Sequence, residues 1–149
     1  MAVGVTWCVE QRLLDEAAVV GAVTAALAHG GRAGIDVDVI LVDDPTLADL
    51  HARFLGDPSV TDVMSFDLGE DGGGPAGELY VSVDRAVAVA TARGVRPARE
   101  LALYLVHGAL HLCGHDDHED DERAAMRAAE AAVLAELGYE ADTAPHDAP

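Results

Sequence analysis

The sequence predicts a single domain of the α+β class, and three observations carry that expectation. The chain has 149 residues, half of them hydrophobic, which is enough to bury one core. Four segments show the β-branched, alternating pattern of strands, and five place apolar residues at helical spacing. The fourth predicted helix also carries two histidines four residues apart, which adds a zincin-like metal site to the class.

"VGVTWCV" (3–9) alternates and reads as the first strand. "LLDEAAVVGAVTAALA" (13–28) is alanine-rich with helical spacing, and the glycines of "HGGRAG" stop it. "DVDVILV" (36–42) alternates and then turns wholly apolar, as a buried strand does. Asp44 before Pro45 reads as a helix N-cap, opening a short helix that runs to Leu55. "TDVMSFDL" (61–68) and "GELYVSV" (77–83) are the third and fourth strands, joined by the glycine-rich turn "GEDGGGP". A helix over 84–93 ends at Gly94, and Pro97 opens the helix bearing His107 and His111. "ERAAMRAAEAAVLAELG" (122–138) is amphipathic, and residues 139–149 have the composition of a flexible acidic tail. With no repeat and no linker, residues 1–138 form one domain.

Charge and cysteine content bound the function. With 27 acidic against 9 basic residues, the net charge is −18, which opposes generic binding to nucleic acid. Any nucleic-acid role must come from a specific site or be helped by a partner. Two cysteines, Cys8 and Cys113, do not make a disulfide framework. No apolar run reaches the roughly 18 residues of a membrane span, and no signal-peptide pattern opens the chain, so a cytoplasmic protein without a membrane partner is expected.

"LVHGALHLCGHDDHEDDE" holds the chemistry. Residues four apart lie on one face of a helix, so His107 and His111 can direct both imidazoles at one ion. Gly114 lets the chain turn back through a left-handed conformation, and a loop residue then supplies the third ligand. Asp117, three residues after the glycine, has the spacing of helical zinc sites; His118, one step further, is the alternative with the commoner ligand chemistry. Three protein ligands leave a position for water, whose pKa zinc lowers to about 7. Cys113 points away from the shared face and is expected to be a packed thiol. Gly108 stands where HExxH proteases carry their glutamate base, which argues against that class.

The same residues resemble the YbeY endoribonucleases, bacterial rRNA maturation factors. "HGALHLCGHDD" is similar to their HGxLHLxGYDH signature, with His115 at the tyrosine and Asp117 at the third ligand. "TDVMSFDL", "GELYVSVDRA", "RELALYLVHGALHL" and "VDVILVDDPTLADLHARF" resemble the segments around it. The resemblance implies a small mixed sheet covered by helices and a metal triad in a cleft. It implies metal-dependent cleavage of single-stranded RNA, with a role in small-subunit rRNA 3′-end maturation and ribosome quality control. RNA and the small ribosomal subunit or its assembly proteins would be the partners, and one Zn²⁺ per chain the cofactor. The family's arginine before the T-[DN]-V strand falls on Leu55, which makes Arg53 the candidate for holding phosphate. Thr61 and Ser65 are possible substrate-facing groups. Two other readings are a non-catalytic ribosome-assembly factor with a structural metal and a metallohydrolase of other substrate, such as a peptidase.

Overall fold

A computed structural model describes residues 3–56, 61–70 and 72–140. In chain order they form β1 (Val3–Trp7), α1 (Glu16–His29), β2 (Val37–Val42), α2 (Asp44–Leu55), β3 (Val63–Asp67), β4 (Gly77–Ser82), α3 (Val83–Arg93), α4 (Pro97–Leu112) and α5 (Asp120–Glu136). The architecture is α+β, with one mixed sheet in the order β1-β2-β4-β3. β1, β2 and β4 run parallel, and β3 is antiparallel to β4.

The alternation of side chains along the strands gives the sheet two apolar faces. Val37, Val39, Leu41, Leu79 and Val81 point to the larger core, shared with α1, α4 and α5. Val42, Met64, Ile40, Phe66 and Tyr80 point the other way and are covered by Leu47 and Leu50 of α2. Being sandwiched between sheet and helices explains why α4 reads as nearly continuous hydrophobic sequence. Leu101, Leu105 and Leu110 are fully buried there, each contributing about 1.5–3 kcal/mol.

Several boundaries differ from expectation for local reasons. Asp43, not Asp44, caps α2, accepting from the Thr46 N–H at 2.8 Å. Asp44 is freed to accept from Ser82 Oγ at 2.6 Å and Arg85 Nη2 at 3.1 Å, tying α2 to the start of α3. α1 begins at Glu16 because Asp15 is its cap, and the two leucines before it pack on the core as loop. Of the segment 139–149, only Tyr139 and Glu140 are described. Tyr139 packs against the core and Glu140 takes two bonds from Arg96, at 3.0 and 2.7 Å. No helix among the described residues is long and apolar enough to cross a membrane.

Candidate metal centre

The end of α4 and the loop after it form the centre. His107 and His111 lie one turn apart with their rings edge-on, centroids 4.6 Å apart and Nε2 atoms 3.0 Å apart. α4 then stops in a Schellman-type reversal. Gly114 N–H donates to the His111 carbonyl at 3.0 Å, His115 N–H donates to that of Leu110 at 3.1 Å, and Gly114 takes φ +93°. The reversed chain carries Asp117 back over the helix end. Its Oδ2 sits 3.5 Å from His107 Nε2 and 3.8 Å from His111 Nε2.

These three donor atoms could hold one metal ion. Tetrahedral zinc with bonds of about 2.0–2.2 Å keeps its ligands about 3.3 Å apart, within the range of spacings found here. The surroundings of the two imidazoles suit ligation. His107 Nδ1–H donates to Glu130 Oε2 at 2.5 Å, which leaves the Nε2 lone pair facing Asp117 and His111. Burial, and then the neighbouring His107, push the His111 pKa below its usual 6.5, against the pull of Asp117; the neutral ring is the ligating form.

The other candidates lie elsewhere. His118 is 80% exposed with Nε2 3.1 Å from Asp116 Oδ1, and the group that joins His107, His111 and Asp117 does not include it. Arg53 is 70% exposed on α2 and pairs with Asp49 at 3.0 Å. Cys113 is half-buried and packs on the end of α1, its Sγ donating to the Leu27 carbonyl at 3.9 Å; burial raises its pKa. Ser65 Oγ donates to the Gly108 carbonyl at 3.0 Å, a strand-to-helix bond. Thr61 lies two residues before β3, next to Asp62.

Three residues on α5 complete the centre, and the sequence reading passed over them. Glu130, 3% exposed, bridges His107 to Arg127 Nη1, which donates to Glu130 Oε1 at 2.8 Å. Arg123 Nη1 donates to the carbonyls of His118 at 3.0 Å and Asp117 at 3.4 Å, pinning the ligand loop from below. A signal for Glu130 was present. Met126, Ala129, Val133 and Leu134 form the buried stripe of α5, and Glu130 lies inside that stripe.

Beside the ligands opens a pocket of about 200 Å³ lined by Asp62, Leu103, Tyr104, His107, Asp117 and Arg127. Close packing of α4 on the sheet explains Gly108. A Cβ there would stand 2.9 Å from Val63 Cγ2 and 3.2 Å from Ser65 Oγ, so the position after His107 faces the sheet and has no room for a base.

Fold and site together define an α+β domain with a two-histidine, one-aspartate candidate metal centre at the C-terminal end of its most buried helix. The chain belongs to the endoribonuclease YbeY family. The family model described as Endoribonuclease YbeY matches residues 10–138. The endoribonuclease YbeY of Carboxydothermus hydrogenoformans is 38% identical over 120 residues, covering 80% of this chain and 83% of that protein. That of Rhodopirellula baltica is 39% identical over 121 residues, covering 80% and 62%. A solution structure of a Thermotoga maritima protein shares the fold, with TM-score 0.62, 20% identity and 99% coverage of both chains.

Proposed function

We propose that this chain is a zinc-dependent endoribonuclease for single-stranded RNA, acting in the cytoplasm on the 3′ end of small-subunit rRNA and in ribosome quality control. One observation carries the reading: in a member of an endoribonuclease family, His107 Nε2, His111 Nε2 and Asp117 Oδ2 converge at the edge of an open pocket. Bound zinc would supply a Lewis acid and an acidified water for attack on phosphorus. The chain's own residues set the conditions. Glu130 holds His107 in the ligating tautomer, burial keeps His111 neutral, and Arg123 fixes the loop that presents Asp117. Arg53 would contact the RNA backbone outside the pocket. The small ribosomal subunit or its assembly proteins would deliver the substrate. Three protein ligands favour a catalytic over a structural ion, since structural zinc is usually closed by four. The crowded position of Gly108 disfavours an HExxH-type peptidase.

The test is a substrate panel on protein purified without chelator. Elemental analysis should find close to one zinc per chain, and single-stranded RNA should be cut while duplex RNA and casein are not. His111→Ala should abolish both zinc and cleavage. Cleavage of casein alone would make the protein a peptidase, and stoichiometric zinc without any cleavage would make it an assembly factor.

A further inference from the structure

The chain contains nine arginines and no lysine, and their placement is uneven. Arg32 is spent on Asp67, Glu70 and the Leu112 carbonyl, Arg85 on Asp44, Arg93 on Glu100, Arg96 on Glu140, and Arg53 on Asp49. Among the described residues, Arg127 alone of the arginines lines the pocket beside His107 and Asp117. It is held there by a partner that also touches the centre. Glu130 takes Arg127 Nη1 on one oxygen and His107 Nδ1 on the other, so guanidinium and ligand imidazole are two hydrogen bonds apart on one buried carboxylate.

We propose that Arg127 is the phosphate-binding residue of this site, taking a non-bridging oxygen of the phosphodiester that enters the pocket. The assignment rests on the endoribonuclease reading for its substrate. The electrostatics of the pocket favour such a group. Asp62 and Asp117 line it with negative charge, and a phosphodiester brings one more. Arg127 offers a planar fork suited to phosphate, on a helix and pre-positioned by Glu130, so little reorganisation accompanies binding. Arg53, 70% exposed on α2, has no comparable anchorage.

The experiment compares wild type, Arg127→Ala, Arg127→Lys and Arg53→Ala as zinc-loaded full chains. Three quantities are read: zinc content, kcat and KM on a single-stranded oligoribonucleotide, and binding of a labelled 2′-O-methyl oligonucleotide as a function of KCl. Arg127→Ala should keep its zinc and lose about 100-fold in kcat/KM, the order found for removing one charge-stabilising donor. The slope of log affinity against log salt should become shallower by about 0.7, the loss of one phosphate contact. Arg127→Lys should restore part of the binding, and Arg53→Ala, which removes only a contact outside the pocket, should lower kcat/KM and affinity less than Arg127→Ala does. If Arg127→Ala cleaves and binds like wild type, the proposal is overturned and the endoribonuclease reading stands. Loss of zinc together with activity would also overturn it, since Arg127 would then act only through Glu130. If wild type fails to cleave but binds the oligonucleotide with an Arg127-dependent slope, the phosphate role holds and the nuclease reading fails. Absence of both cleavage and binding overturns both.

Discussion

His107 and Glu130 stand 23 residues apart and touch at 2.5 Å, and that contact decides which imidazole nitrogen faces the other ligands. Glu130→Gln keeps the shape but removes the charge, and its amide can also donate to Nδ1, stabilising the tautomer with hydrogen on Nε2. Zinc affinity, measured by competition with a chromophoric chelator at fixed pH, should fall about 10–100-fold while the fold is kept. Unchanged affinity would show that Glu130 merely fills space. The same titration separates the loop candidates. Asp117→Ala should lose far more affinity than His118→Ala, because only Asp117 brings an oxygen to both Nε2 atoms. The histidine pair was legible because a four-residue spacing is a local property of the helix. Glu130 could be singled out by its place in the apolar stripe of α5, but its pairing with His107, the reach of Arg123 to the ligand loop and the position of Arg127 at the pocket depend on how α5 packs on α4.

At the scale of the element, α4 must approach β3 and β4 closely enough for Ser65 Oγ to reach the Gly108 carbonyl at 3.0 Å. Gly108 makes that approach possible. A methyl group there meets Val63 at 2.9 Å and Leu79 at 3.1 Å, both stiff or well-packed neighbours. Gly108→Ala should therefore destabilise the protein by about 1–3 kcal/mol, the usual cost of overpacking, in urea unfolding monitored by circular dichroism. It should also weaken zinc binding, because the adjacent His107 is displaced with the helix. An alanine variant as stable as wild type would mean that the helix can lift at no cost. Element types were readable from alternation in the strands and helical spacing in most helices, and in the alanine-rich α1 and the almost continuously apolar α4 from segment length and the glycines and proline that bound them. Their ends were not always so, since "DD" before Pro45 offers two equivalent caps and only the contacts of Asp44 with Ser82 and Arg85 assign the capping role to Asp43.

For the whole molecule, the acidic excess was visible in composition, whereas the strand order β1-β2-β4-β3 depends on pairing between distant segments that no local pattern encodes. The charge has a kinetic consequence. An RNA strand approaching a body of net charge −18 is repelled rather than steered, so its affinity must come from short-range contacts in the pocket. With one or two phosphates engaged, single-strand binding should weaken with a slope of about −0.7 to −1.4 in log salt. Screening of the overall repulsion acts in the opposite direction and makes the dependence shallower still. Between about 50 and 200 mM KCl, kcat/KM on single-stranded RNA should therefore fall by less than about tenfold. A protein gripping duplex DNA through six to ten phosphates loses about 10³–10⁵ in affinity over the same range. A loss of 100-fold or more here would require an extended basic surface, which the nine arginines, most of them already tied to carboxylates, do not build.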